Sequence, residues 1–190
     1  MKYISTVTPL ALFLIGGVVL GQDQDQASSD PNPLSCYEQL IGEWTYEGPA
    51  GEPGSSDTAD AGKVVFRGST QWILDKKALE TVWEFEVPGV PKMAGKTLIT
   101  WDPAEKRIVS AGVSSRGGFG LGTVKYDAAT KTFTSESKGV DGEGRKGSTS
   151  VVMRMVDADT YVWQFKGQVD GEEMPESPEW TFKRVKKPAQ

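Results

Sequence analysis

The stretch ALETVWEFEV, residues 78–87, decides the fold because its apolar and charged side chains alternate with a period of two. Trp83 and Phe85 fall on one face together with other mostly apolar residues, whereas Glu80, Glu84 and Glu86 fall on the opposite face. Successive side chains of a β-strand point to opposite faces of a sheet. The pattern therefore predicts a half-buried antiparallel strand with Trp83 and Phe85 inside and the three glutamates in water.

The same alternation recurs in TYVWQFKG, where Tyr161, Trp163 and Phe165 share a face, and in EWTFKRV, where Trp180 and Phe182 do so. After the N-terminal apolar run, the sequence shows no sustained helical periodicity. Applied along the chain, the rule predicts ten strands, over residues 42–48, 62–75, 78–87, 95–101, 107–114, 119–126, 131–138, 148–156, 160–168 and 179–186.

The links between these strands alternate in length. Four links are short and begin with Asp, namely DKKA (75–78), DPAEK (102–106), DAAT (127–130) and DADT (157–160), and longer links rich in Gly and Pro lie between them. An Asp side chain can accept hydrogen bonds from the backbone amides that follow it, which suits a tight turn. In an up-and-down meander every second connection lies at the same end, so we expect the tight turns at one end and the long loops at the other.

Ten such strands would leave unpaired edges and exposed aromatic rings unless the sheet closed on itself. We therefore predict an all-β fold: a single closed up-and-down antiparallel barrel over residues 36–187. The short turns form its floor, long loops surround its mouth, and a helical turn in NPLSCYEQL (32–40) caps the floor. Trp44 begins the first strand and Arg184 ends the last, so closure predicts a structural floor in which the guanidinium lies on the indole.

Two sets of motifs connect this pattern with known proteins. The Gly42-Glu43-Trp44 motif after a short helical turn, with a basic residue late in the last strand, resembles the calycin superfamily of lipocalin-like barrels. AGKTLITWDPAEKRIVSAGVSS (94–115), GTVKYDAATKTFT (122–134) and the Asp-Gly pair of VDGEE (169–173) further resemble a bacterial family of exported, functionally uncharacterised lipocalin-like domains. The resemblance covers residues 36–186, and it implies a barrel of the type that mostly binds small apolar molecules.

The N-terminal region has the features of an export signal. A lysine precedes an apolar run over residues 7–20, and the run ends in Val19-Leu20-Gly21, which suits a cleavage site. These features predict a signal peptide over residues 1–21. Residues 22–35 then form a polar spacer for which no ordered structure is expected. Export would place the mature protein in the periplasm or outside the cell. We expect Cys36, the single cysteine, to be a small buried apolar residue rather than a lipid anchor or half of an internal disulfide.

Composition excludes several classes of function. A net charge of −5 argues against a nucleic-acid partner, because a protein that binds the phosphate backbone needs a basic surface. The chain contains no histidine, which removes Ser-His and Cys-His nucleophile pairs, histidine zinc sites and the usual proximal haem ligand. No second apolar run approaches the length that would span a membrane. We accordingly predict no catalytic residues, no cofactor and no metal, and the sequence identifies no partner protein.

The interior is expected to have one bulky and one slim wall. The slim wall carries small or polar residues, namely Ser110, Gly112, Gly120, Gly122, Thr123, Ser135 and Ser137, which leaves room for a ligand. The candidate ligand-binding residues form an aromatic and thioether wall, namely Trp83, Phe85, Met153, Met155, Tyr161, Trp163, Phe165, Trp180 and Phe182.

Three functions fit this picture. The first is an exported module that holds a neutral or cationic apolar ligand or lipid fragment, because the mouth loops carry more acidic than basic residues and would repel an anion. The second is an interaction or structural protein whose barrel is packed solid by its own aromatic side chains. The third is a cyclase or isomerase that works without histidine. A cavity of several hundred Å3 favours the first function, and its absence favours the second.

Overall fold

A closed antiparallel β-barrel is formed by the described residues, which in this computed structural model are 32–49, 62–174 and 176–186. The expected signal peptide and most of the polar spacer lie outside them. None of the described helices is long and apolar enough to cross a membrane. A 3-10 helix at Ser35–Leu40 is followed by β1 (Gly42–Pro49), β2 (Lys63–Ile73), β3 (Ala78–Val87), β4 (Val90–Asp102), β5 (Arg107–Ser114), β6 (Gly118–Asp127), β7 (Thr132–Asp141), β8 (Lys146–Asp157), β9 (Thr160–Val169), β10 (Glu172–Met174) and β11 (Trp180–Arg184).

The strands pair in chain order from β1 to β9, and every pairing is antiparallel. The ring closes because β9 also pairs with β11 and β11 pairs with β1. The short β10 lies on the same edge of β9 as β11, opposite residues 167–169, while β11 lies opposite residues 160–163. The barrel wall is therefore ten strands wide, which confirms the predicted all-β closed barrel.

The four short turns close the hairpins β2–β3, β4–β5, β6–β7 and β8–β9, as predicted. In three of them the leading carboxylate accepts hydrogen bonds from backbone amides, at 3.0 Å for Asp102, 2.8 Å for Asp127 and 2.8 Å for Asp157. The turn after β2 differs, because there the backbone closes it directly, with Lys77 N donating to Leu74 O at 3.0 Å. Residues 74–76 of this turn have positive φ, so it has a different backbone geometry from the Asp-capped turns.

Two of the connections predicted as long loops are partly strand. Pro88 and Gly89 (φ 75°) make a tight turn, so β4 begins at Val90 instead of residue 95. Asp170 and Gly171, with φ of 50° and 86°, connect β9 directly to β10. Both central residues of this second turn have the positive φ that matches the twist of a two-residue hairpin. Strand pairing therefore extends further towards the mouth than hydrophobic alternation alone indicates.

The predicted register of the β3 strand is confirmed. Trp83 faces the barrel interior and Phe85 packs against interior rings, with its centroid 5.9 Å from that of Phe66. Glu84 and Glu86 project outward, where each has 43% of its side chain exposed, and Lys92 Nζ lies 2.6 Å from the Glu84 carboxylate. A shift of one residue would have exchanged the two faces.

The floor of the barrel joins the helix to both ends of the sheet. Trp44 is 3% exposed, and its indole nitrogen donates to Leu40 O at 2.9 Å. Arg184, its partner in the β1–β11 ladder, places its guanidinium carbon 4.1 Å from the indole centroid, so the expected contact is present. The guanidinium also donates to Ile41 O at 2.6 Å and Gln39 O at 2.7 Å. One side chain thus fixes the helix, the first strand and the last strand together.

Cys36 was expected to be buried, and it is partly so. It packs against the edge of the core formed by the helix and the barrel floor. Burial raises the pKa of its thiol. A thiol with a raised pKa forms less of the reactive thiolate at neutral pH.

Candidate ligand cavity

The barrel contains a cavity of about 270 Å3 directly above the floor. The helix contributes Tyr37 and Leu40, and Trp44 lies at the base. The rest of the lining comes from strands all round the barrel, and none of the lining residues among 32–49, 62–174 and 176–186 carries a charge. An interior packed at normal protein density would leave no such volume, so the barrel is not filled by its own side chains.

Five of the nine candidate ligand-binding residues line this cavity, namely Trp83, Met153, Tyr161, Trp163 and Phe182. The other four do not. Met155 is 5% exposed and belongs to the buried core. Phe85, Phe165 and Trp180 lie on the mouth side of the cavity, where Trp180 stacks on Phe85 at a centroid distance of 5.7 Å and meets Phe165 edge to face at 6.4 Å. Contact with a ligand stays a prediction for all nine.

Phe66 is a lining residue that the sequence reasoning missed. Its ring lies 6.2 Å from Trp83, 6.4 Å from Trp163 and 5.3 Å from Phe182, centroid to centroid, so it joins the aromatic residues of β3, β9 and β11. Three consecutive apolar residues, 64–66, obscure the alternation at the start of β2. The phase of Phe66 with Trp72 was the signal that could have identified it.

Hydroxyl groups form the second class of lining residue. We call Thr70, Thr81, Thr97, Ser110 and Ser135 the hydroxyl strip, and all five line the cavity. The hydroxyls of Thr70 and Thr81 share a hydrogen bond of 3.0 Å. Thr97, Ser110 and Ser135 have no side-chain hydrogen bond to any other described residue. The two serines were expected on the slim wall, but threonine is so common in strands that the sequence did not single out the other three.

Two phenol groups also border the cavity. Tyr37 and Tyr161 are 4% and 8% exposed. Burial raises the pKa of both phenols well above the usual range, and for Tyr37 the neighbouring Cys36 adds to the shift. Both groups therefore stay protonated at physiological pH, and they act as neutral hydrogen-bonding groups rather than as bases.

A second space of about 450 Å3 adjoins the first towards the mouth, since Trp83 and Thr97 are among the residues that border both. It lies against β4, β5, β6 and β7, where the glycines expected on the slim wall occur. Its charged residues are Arg116, which donates to Pro91 O at 3.0 Å, and Asp141. Charge is thus found at the mouth and not in the inner cavity.

The described residues contain no group of three His, Cys, Asp or Glu side chains close enough together to hold a metal ion. The inner cavity also lacks carboxylates and amines among its lining residues. Its chemistry is therefore limited to aromatic, aliphatic, thioether and hydroxyl groups.

Comparison with known proteins supports the fold. No curated protein matches this chain. The solved structure of the S-type phycobiliprotein lyase CPES from Guillardia theta is similar, with a TM-score of 0.50 and 12% sequence identity, over 83% of this chain and 95% of that chain. At this identity the similarity shows the fold alone, which is consistent with the calycin-like, lipocalin-like barrel expected from the sequence. A family model described as "Protein of unknown function (DUF1579)" matches residues 35–184, so the chain belongs to this family.

Proposed function

We propose that this protein is a binding module that holds one small, mostly apolar molecule inside its barrel. The observation that carries the proposal is the uncharged cavity of about 270 Å3 above the floor. Small-molecule sites are concave and mainly apolar, with a few polar groups that fix the orientation of the ligand. The aromatic residues and the hydroxyl strip supply these two components.

The lining favours a neutral ligand over a charged one. Moving a charge out of water is costly unless an opposite charge meets it, and no lining residue of the inner cavity is charged. A cation could gain only from the faces of rings such as Trp83 and Trp163, at about 0.5 to 2 kcal/mol each. Apolar surface gains roughly 25 cal/mol for each Å2 removed from water. Of the neutral or cationic ligands expected from the sequence, the neutral class therefore fits better.

The two alternatives find less support. A filled barrel that acts only as an interaction or structural protein would not need the enclosed volume. An enzyme of the cyclase or isomerase type needs an acid or base whose pKa lies near the pH at which the enzyme works. The lining offers hydroxyls and two phenols, and burial moves the phenol pKa values away from neutrality. Binding without chemical conversion is the simpler use of these residues.

We also propose that the protein is exported, to the periplasm or beyond the cell. The support is the N-terminal sequence, in which an apolar run over residues 7–20 ends at small residues before a polar tract. N-terminal sequencing of the mature protein should give a chain that starts near Gln22. A mature chain that keeps residues before Leu20 would contradict export by this route.

A matched pair of variants tests the binding function. Val151 lines the cavity, whereas its neighbour Val152 lies on the outer face and is 44% exposed. We expect Val151→Trp to fill the cavity and weaken binding of the neutral fluorescent probe N-phenyl-1-naphthylamine by about tenfold or more, since an occupied site loses most of its ligand contacts. Val152→Trp should bind within about twofold of wild type.

Circular dichroism would confirm that both variants are folded before titration. Failure of wild type to bind the probe, or equal binding by the two folded variants, would contradict a ligand site in the barrel. Native mass spectrometry of protein from its own host would then identify any small molecule that remains bound through purification.

A further inference from the structure

The inner cavity has two unlike sides. We call Phe66, Trp83, Trp163 and Phe182 the ring wall, and they lie on β2, β3, β9 and β11, on one side of the barrel. The unpartnered hydroxyls of Thr97, Ser110 and Ser135 lie on β4, β5 and β7, on the other side. A ligand between them meets flat apolar surface on one flank and hydrogen-bonding groups on the other.

The ring wall offers both faces and edges of rings, since Phe182 meets Phe66 edge-on with 81° between their planes. The planes of Phe66 and Trp83 are within 21° of each other at a centroid distance of 6.2 Å. Below them Tyr161 and Phe182 are stacked, with 4.7 Å between centroids and 9° between planes. Aromatic rings prefer offset stacked or edge-to-face partners, so these surfaces suit another flat ring better than a flexible chain.

Three hydroxyls of the hydroxyl strip need hydrogen-bond partners once a ligand displaces water. Thr97, Ser110 and Ser135 make no side-chain hydrogen bond to another described residue. A buried hydroxyl without a partner is costly, whereas a ligand group that bonds to it removes that cost. The three hydroxyls lie on the same side of the cavity, so the ligand groups that meet them must lie on the same edge of the molecule.

The size of the cavity limits the ligand. An apolar cavity of about 150 Å3 accepts one benzene ring, and the inner cavity here measures about 270 Å3. It therefore has room for about two fused rings, scaled from that one-ring value. Longer substituents can extend into the adjoining space of about 450 Å3 towards the mouth.

From these observations we infer the class of ligand, an inference that rests on the proposed binding function. The ligand is a flat, uncharged molecule with hydrogen-bonding groups along one edge. Its size is about two fused rings, scaled from the cavity volume that holds one benzene ring. Its ring face lies against the ring wall, and its polar edge faces Thr97, Ser110 and Ser135.

Two isomeric probes separate this orientation from simple hydrophobic binding. In 2,7-dihydroxynaphthalene both hydroxyls lie on one long edge, whereas in 2,6-dihydroxynaphthalene they lie on opposite edges. The isomers have the same size and closely similar polarity. Isothermal titration calorimetry should show that wild type binds the 2,7 isomer about five to ten times more tightly, the gain expected from one additional hydrogen bond.

A double variant tests the role of the hydroxyl strip. Ser110→Ala with Ser135→Ala should remove the preference between the isomers and leave each binding about as tightly as the 2,6 isomer binds to wild type. The matched control is Thr123→Ala with Thr134→Ala, which removes two hydroxyls on the outer faces of β6 and β7. This control should keep the preference for the 2,7 isomer.

The linear alcohol 1-decanol serves as the third probe. It should bind more weakly than the 2,7 isomer, because a flexible chain cannot stack on the ring wall. Equal affinities for the two isomers, a preference that survives Ser110→Ala with Ser135→Ala, or tighter binding of decanol would overturn the inference while leaving a binding barrel in place. Failure of wild type to bind N-phenyl-1-naphthylamine would overturn the binding function itself.

Discussion

Replacement of Arg184 by alanine tests the closure of the barrel. The guanidinium lies 4.1 Å from the centroid of the Trp44 indole and donates to Gln39 O and Ile41 O at 2.7 and 2.6 Å. It also lies 3.3 Å from the carboxylate of Asp159, in the last tight turn. Its Nε also donates to Ala158 O at 3.1 Å. Arg184→Ala removes all five contacts at once, and with them the link between the helix, the first strand and the last.

The expected loss can be worked out from these contacts. Hydrogen bonds that involve a charged group contribute about 1.5 to 3 kcal/mol each, and a cation on an aromatic face contributes about 0.5 to 2 kcal/mol. The Arg184 side chain is 24% exposed, so water can reach some of the freed carbonyl groups and recover part of the loss. Allowing for that recovery, we expect Arg184→Ala to lower the free energy of unfolding by about 3 kcal/mol.

Urea denaturation followed by tryptophan fluorescence measures this loss. With a urea dependence of about 2 kcal/mol per M, the midpoint should fall by about 1.5 M. Arg184→Lys should recover only part, because an ammonium group keeps the charge but lacks the planar fork and the stacking surface. Lys186→Ala is the control, since Lys186 also pairs with Asp159 but is 77% exposed, and it should leave the midpoint unchanged. An Arg184→Ala midpoint equal to that of wild type would refute the argument for closure.

Two further predictions concern the strands and the turns. Gly139→Ala should lower the free energy of unfolding by about 1 to 3 kcal/mol, because its new Cβ would overlap Phe119 O, whereas Gly112→Ala should cost little, since its nearest neighbour is 3.4 Å away; equal urea midpoints would contradict this. The pKa of Asp127 is lowered by hydrogen bonds from the hydroxyl of Thr130 and from the backbone amides of Ala129 and Thr130. Its folded pKa lies below its unfolded value, so the stabilisation is present above about pH 4 and is lost as the pH falls further. The urea midpoint of Asp127→Ala should therefore fall less than that of wild type between about pH 4 and pH 2, and parallel curves would rule the effect out.

The sequence predicted the fold well because the deciding patterns are local. Strict alternation in residues 78–87 fixed which face of β3 is inside, and the spacing of the tight turns fixed which connections share an end. Closure was predicted because an open sheet would leave the hydrogen-bonding groups of its edge strands unpaired. The phase of Trp44 and Arg184 gave the register between the first strand and the last. Each of these inferences needs only neighbouring residues and the period of a strand.

The site was harder to predict because a cavity depends on which side chains meet across the barrel. Phe85 and Phe165 have the correct phase for the interior, but they lie nearer the mouth than the inner cavity, where both pack against Trp180. Alternation gives the face of a residue and not whether its volume fills the space opposite. Phe66 was missed for a different reason. It lies at the level of the inner cavity along the barrel axis, but the two valines before it obscure the alternation that would place it inside.

A row of glycines explains why free space remains on one side of the barrel. Gly112, Gly120, Gly139 and Gly147 are direct partners in neighbouring strands from β5 to β8, so four adjacent positions at one height lack side chains. Glycine weakens a strand interior because it has no side chain to pack and loses more backbone freedom on folding. Side chains at these positions would project into the space below the mouth, and at Gly139 a Cβ would also overlap Phe119 O. The row therefore leaves volume on the side of the barrel opposite the ring wall, which is the volume that the proposed ligand site needs.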